Sequence, residues 1–265
     1  MTETIAGVVV ERVGAGEPLL LIHGTGGGRD HWSPVVDALA ANRSLLLVDL
    51  PGHGESPSPP DGVPHNPIGY AAVLGGVLDE LGIERAHCAG NSVGGWTSLE
   101  LAKSGRASSV VALCPAGLWP NRDPWRCVFQ LWSQNKMGRL FAPLTPALMR
   151  SPAGRTVLLR TSVAKPRQVP AEAAVAMAAE FARTPDFDAH LAATRRERFR
   201  DGGGIDVPVT VAWGEKDRLL PRKARAEAEL PDQAQVLTLR GCGHLPMWDD
   251  PQQVAETILA GSAAG

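Results

Sequence analysis

Short apolar runs alternate along the first half of the chain with stretches in which apolar side chains recur every three or four positions. "GVVVERV" (7–13) and "PLLLIHG" (18–24), separated by the turn "GAGE", predict two antiparallel strands, the second entering the middle of a sheet. "RDHWSPVVDALAAN" (29–42) puts Trp32, Val35, Val36 and Leu39 on one side of a helix. The pattern then repeats: a buried strand ending at Asp49, a helix stopped by Gly82, the strand "AHCAGN" (86–91), a helix closed by Gly105 and the strand "SSVVALCPAG" (108–117). Such alternation implies an α/β fold, with right-handed crossovers and a mostly parallel sheet covered by helices on both faces. Sites in such sheets gather at the carboxyl ends of the strands.

From about Leu118 to Gly204 the strand-like runs stop. Helical spacing dominates in "DPWRCVFQLWSQNKMGRLF" (123–141), "PAGRTVLLRTSVA" (152–164) and "PAEAAVAMAAEFAR" (170–183), the last two opening on proline. "DGGG" (201–204) leads back to a strand in "VPVTVAWGEKD", a helix in "RKARAEAEL", a strand in "AQVLTLRG", a last helix in "PQQVAETILAG" and a fraying tail, "SAAG". The expected organisation is a core of residues 1–117 and 205–265, interrupted by a helical insertion over 118–204.

Composition narrows the functional classes. With 265 residues, 44% of them apolar and 20% charged, the chain has enough apolar side chains for a sizeable core. A net charge of −2 lacks the basic excess of a nucleic-acid binder, and the densest basic run, "RRERFR" (195–200), reads as a solvated helix face. No apolar segment is long enough to span a bilayer and no basic-led apolar run opens the chain. The expectation is a cytoplasmic protein without nucleic-acid or membrane partners, a monomer or homodimer. Cys88, Cys114, Cys127 and Cys242 are too scattered for a zinc or CxxC motif, and no metal is expected.

The chemistry sits at the predicted strand ends. Gly90-Asn91-Ser92-Val93-Gly94 fits G-x-S-x-G between a strand and a helix. A turn that sharp needs small residues on either side. It lifts Ser92 Oγ clear of the backbone and points the Val93 amide into the same space, at a helix start where negative charge is favoured. A serine hydroxyl needs a base, and the base an orienting acid. Of seven histidines, His244 is best placed, in a glycine-flanked loop directly after the last strand. Asp217 follows a buried strand and is preferred to its neighbour Glu215, while Asp206 lies at the wrong end. In "IHGTGGG" consecutive glycines let backbone N–H groups converge, with the Thr25 amide opposite that of Val93 as the second oxyanion donor. The same loop fits a dinucleotide fingerprint poorly, although Asp49 ends the next strand, and no cofactor is expected. Gly24, Asn91 and Leu245, which adjoin these groups, and the helical stripe Trp125, Phe129 and Trp132 are the candidate substrate contacts. They point to a small hydrophobic substrate.

Together "HGTGGG", "DLPGHGES", "GNSVGG", "WGEKD" and "GCGHLP" resemble the α/β-hydrolase superfamily over nearly the whole chain. The resemblance implies Ser92 as nucleophile, Asp217 as acid, His244 as base, the Thr25 and Val93 amides as oxyanion hole, and a helical cap over about 118–204. Haloalkane dehalogenases and soluble epoxide hydrolases carry aspartate where Ser92 stands. Thr25 interrupts the "HGGG" of hormone-sensitive-lipase-like esterases, and haloperoxidase-like esterases have phenylalanine in place of Asn91. Meta-cleavage-product hydrolases, which break carbon–carbon bonds, share the "GNSxGG" elbow. They place tryptophan where Leu245 stands and use a cap arginine, for which Arg155 and Arg160 are counterparts. The implied activity is hydrolysis of a hydrophobic ester, lactone or related carbonyl compound. A carbon–carbon hydrolase, an acyltransferase or cyclase, and a ligand-binding protein on the same fold remain as alternatives.

Overall fold

The computed structural model describes residues 1–120 and 125–263. Eight strands, β1 (Thr2–Ile5), β2 (Val8–Val13), β3 (Pro18–Ile22), β4 (Ser44–Val48), β5 (Ala86–Asn91), β6 (Ala107–Leu113), β7 (Val209–Gly214) and β8 (Gln235–Leu239), make one sheet in the order β1-β2-β4-β3-β5-β6-β7-β8. From β4 to β8 every pairing is parallel, and β1 and β2 form an antiparallel edge. The predicted strands β2 and β3 do run in opposite directions, but they are not partners. β4 lies between them, with Val10 opposite Val48 on one side and Leu20 opposite Leu46 on the other. Leu19 to Ile22 are buried, so β3 needs a neighbour on each edge, and the right-handed crossover through the next helix delivers β4 there. β1, short and mostly exposed, has no apolar run to announce it.

Helices α1 (Ser33–Ala40), α2 (Pro67–Glu80), α3 (Val93–Lys103) and, last in the chain, α9 (Pro251–Gly261) cover the sheet. Proline at the first turn and a side-chain cap start two of them. Asn66 accepts from the Gly69 amide before α2, and Asp250 from the Gln253 amide before α9. Tyr70, Leu74, Trp96 and Leu99 of α2 and α3 belong to one apolar core, and Val35, Leu39 and Ile258 of α1 and α9 to a second. Each such side chain contributes about 1.5–3 kcal/mol by leaving water. Residues 29–32 make a single 3-10 turn leading into α1, which buries Trp32.

Among the described residues between β6 and β7 lie five α-helices: α4 (Trp125–Leu140), α5 (Thr145–Arg150), α6 (Pro152–Leu159), α7 (Ala171–Arg183) and α8 (Phe187–Thr194). The helical pattern over 118–204 anticipates α4, α6 and α7. α5 and α8, of six and eight residues, are too short to leave a period. The helix expected in "RKARAEAEL" is absent beyond one 3-10 turn, Arg222–Ala224. The next residue, Arg225, is extended and turns inward, where its guanidinium donates to the Leu220 and Gly214 carbonyls. Asp123 and Pro124, expected to open the first of these helices, and the end of the fraying tail, Ala264 and Gly265, lie outside the described residues. No described helix is long and apolar enough to cross a membrane.

Candidate active site

Ser92 caps α3 at the end of the central strand β5, with φ 55° and ψ −116°, a strained backbone for a residue with a side chain. Its neighbours explain how the turn closes. A Cβ on Gly90 would collide with the Gly94 carbonyl, and one on Gly94 with the Ile22 and His23 carbonyls of the adjacent strand. The Ser92 carbonyl accepts from the Trp96 and Ala116 amides and its N–H donates to Leu113, so the strained residue is held from both sides. Val93 is the first residue of α3, where helix geometry leaves its amide without an intrahelical partner.

His244 and Asp217 meet. His244 Nδ1 lies 2.9 Å from Asp217 Oδ2, and the two residues are 4% and 6% exposed. The other carboxylate oxygen accepts from the Leu219 and Leu220 amides, both at 2.9 Å. Burial opposes the charge on Asp217. Its ion pair and hydrogen bond with His244, the Leu220 amide and the Arg225 guanidinium outweigh burial and hold the carboxyl below its ordinary range. Glu215 is turned elsewhere and accepts from the Gly241 amide at 2.8 Å.

Several groups around this pair escaped sequence reasoning. Arg225 Nη2 is 4.0 Å from Asp217, but lies in a stretch that reads as helix. Cys114, at φ 46°, accepts the Gly214 amide on Sγ and points at the Gly243 carbonyl. It thereby ties together the two loops that carry Asp217 and His244. Among the described residues Cys114, Asp217 and His244 are one set of metal-type donors within 4.8 Å of one another. Two of the three already share a hydrogen bond, and burial, then the Asp217 charge, push the thiol well up. Asp249 clamps the base loop, accepting from the amides of Gly243, Ala164 and Lys165 at 2.7, 2.9 and 2.6 Å.

The glycine loop after β3 lies against the elbow. A Cβ on Gly24 would stand 3.1 Å from Ser92 Cβ. Thr25 and Val93 both line a cavity over Ser92, and Thr25 Oγ1 is 2.9 Å from His190 Nε2 of α8. His190 in turn meets Tyr70 Oη at 3.0 Å and the His65 carbonyl at 3.2 Å. Burial, then the neighbouring His53, hold His190 far below the ordinary histidine range, so it is a neutral strut between the helical insertion and the loop. Both Asp49 oxygens are occupied by Arg29 and the Glu55 amide, which leaves no acid for the ribose of a dinucleotide.

The cavity over Ser92 measures about 30 Å³, room for a water molecule. Its apolar wall comes from Trp119, Cys127, Val128, Leu131, Leu191 and Leu220, and Arg195 reaches it from the run that reads as a solvated face. The stripe Trp125, Phe129 and Trp132 does not line it. Those side chains are 64%, 60% and 44% exposed, because α4 turns its other face to Ser92. Asn91 is a correction too. Its Nδ2 donates to the carbonyls of Leu113 (3.1 Å) and His244 (2.9 Å), so it bridges elbow and base loop instead of facing substrate. Leu245 is packed in the second apolar core, its amide bonded to the Ser162 carbonyl, and is no pocket residue. Arg155 is buried on the Met149 and Arg150 carbonyls.

Comparison with known proteins agrees with this layout. The model of the alpha/beta hydrolase family matches residues 19–257. A dihydrolipoyllysine-residue acetyltransferase component of the acetoin cleaving system of Pseudomonas putida is 30% identical over 92% of the chain, which spans 63% of that protein's length. Lipase 1 of Psychrobacter immobilis is 27% identical, with 93% of this chain and 77% of the lipase covered. The solved 2-hydroxy-6-oxo-6-phenylhexa-2,4-dienoate hydrolase of Rhodococcus sp. strain RHA1 superimposes with a TM-score of 0.75 at 21% identity, covering 100% of both chains.

Proposed function

Because the chain belongs to the alpha/beta hydrolase family, we propose that it is a serine hydrolase acting on a hydrophobic small-molecule ester, lactone or related carbonyl compound. The observation that carries this reading is the buried His244–Asp217 pair, whose His244 carbonyl accepts from Asn91, the residue beside a strained Ser92. His244 takes the Ser92 hydroxyl proton as Oγ bonds to the substrate carbonyl carbon. The Thr25 and Val93 amides hold the oxyanion, worth roughly 3–4 kcal/mol per donor. His244 then gives its proton to the leaving oxygen, and water repeats the steps on the acyl-Ser92 to release the acid. Asp217 fixes the His244 ring with Nδ1–H toward itself and stabilises the charged form. Residues 118–204 act as a cap over the core, and the apolar wall they help to form selects an acyl chain or ring. The lipase relative supports an ester as substrate.

A second reading has Arg195 in its favour, since a guanidinium among the residues lining the cavity suits a substrate with a carboxylate. This is the carbon–carbon hydrolase reading, in which the same three residues cleave a dienone acid after ketonisation. The test is a panel of p-nitrophenyl esters, lactones and a dienone acid with wild type and Ser92→Ala, together with fluorophosphonate labelling. Ester turnover lost in Ser92→Ala and a label on Ser92 are expected. Equal rates for the two proteins overturn the proposal, and cleavage of the dienone acid alone moves it to the second reading.

A further inference from the structure

α4 is apolar on two sides. At about 100° per residue, Trp125, Phe129, Trp132 and Leu140 fall within about 80° of one another, and Cys127, Leu131, Asn135 and Gly138 lie opposite. The second set is covered. Cys127 and Leu131 line the Ser92 cavity, and Asn135 Nδ2 donates to the Phe181 carbonyl of α7 at 2.6 Å. The first set faces outward, and the rings of Phe129 and Trp132 stack on each other there. The chain runs on through α5 and α6 with Leu144, Leu148, Val157 and Leu158 also exposed. Among the described residues, ten of the fourteen exposed large hydrophobic side chains thus fall between 125 and 158. A helix with one face already buried is ordinarily polar on the other, and water-soluble monomers rarely leave a continuous apolar patch this large.

Charge identifies the occupant. From Trp125 to Ala171 the chain carries eight basic residues and no acidic one, in a protein whose net charge is −2. Arg126 of α4 and Arg160, which follows α6, are exposed beside the apolar side chains, while Arg139 turns its guanidinium back to the Ala182 and Thr184 carbonyls. Lys136 and Arg150 pair with Asp188 and Glu172 of the helices behind. We propose that the outward face of α4, continued through α5 and α6, adsorbs to an anionic lipid surface, aromatic rings at headgroup depth and arginines against the headgroups. A second copy of the chain is the other occupant an apolar face invites. A two-fold pairing would set this predominantly basic surface against itself, whereas acidic headgroups complement it. The earlier expectation of no membrane partner came from the lack of a spanning segment, and adsorption needs none. The inference does not rest on the hydrolase reading, since binding is measured without turnover.

The test is co-sedimentation of the full chain with phosphatidylcholine vesicles and with phosphatidylcholine–phosphatidylglycerol vesicles, at low and high salt, alongside light scattering for oligomeric state. Expected is binding to the anionic vesicles only, weakened by salt. Arg126→Glu/Arg160→Glu should lower it at least about ten-fold, each lost cation counting about five-fold. Trp125→Ser/Phe129→Ser/Trp132→Ser should abolish it, with the circular dichroism spectrum unchanged; if that spectrum changes, the charge variant decides. No binding to anionic vesicles, undiminished binding by the charge variant, or a wild-type dimer that the triple variant dissolves overturns the proposal.

Discussion

Asn91 sits beside Ser92 and spends its Nδ2 on two backbone carbonyls. Removing it leaves the His244 carbonyl unpaired in a buried place, a loss of about 1–3 kcal/mol. Asn91→Ala should therefore lower both kcat and the urea midpoint while leaving KM nearly unchanged; a change confined to KM would return Asn91 to the substrate. Asp217→Asn should lower kcat by about 10⁴-fold, because the histidine loses its orienting partner. It should also change the acid side of the stability curve. The Asp217 carboxyl is depressed in the fold, so its contribution is complete above about pH 4 and is lost as pH falls further. The gap in unfolding midpoint between wild type and Asp217→Asn should be widest near neutrality and close toward acid. The places of Ser92, Asp217 and His244 at strand ends, and the meeting of the last two, were legible because each follows an apolar run that had to be a strand. Arg225 and Cys114 were not, since their contacts join loops that only the finished sheet brings together.

At the scale of elements, periodicity told which side chains of α4 share a face but not which way that face turns. Both faces are apolar, so sequence favoured the wrong one for the cavity. α7 shows a contact sequence could not show at all. Its Glu180 carboxyl fills the space over Gly28 that a Cβ would take, 3.6 Å from His31 Nε2. Burial, then the charges of Asp49 and Asp30, push Glu180 up to about 8, and burial brings His31 down to about 4, so the pair is neutral at pH 7. At Glu180 the folded chain keeps a proton that the unfolded chain gives up above about pH 4.3, so the contribution of Glu180 to stability declines from there until pH reaches about 8, while that of His31 runs the other way up to about pH 6.5. Glu180→Gln, which removes the charge and keeps the shape, should gain in melting temperature over wild type as pH rises through that window. A gain that stays constant with pH would contradict it.

In the whole molecule, protection from exchange should be uneven. Ten of the eleven residues of α3 are buried, against Asn135 alone in the sixteen of α4. Native-state hydrogen exchange should therefore find α3 amides opening only with global unfolding and α4 amides opening at much lower cost; equal protection would refute this. The alternation that revealed the sheet held because parallel strands are buried on both faces and must read as continuous apolar runs. The helical insertion, half-exposed and irregular, gave no such signal for α5 and α8.

The helices over Ser92 are fastened at His190 to the loop of Thr25 and at residues 162–165 to the loop of His244, while Asn135, Lys136 and Arg139 tie α4 to α7 and α8 and not to the sheet. If the substrate is the proposed ester, a chamber of about 30 Å³ admits its acyl group only when these helices part from the core. Selectivity would then be exercised at the doorway, in time and not in fit. Two esters of equal reactivity but different girth would be sorted by how long and how wide the gap stays open, and the bulkier would lose most in viscous solvent.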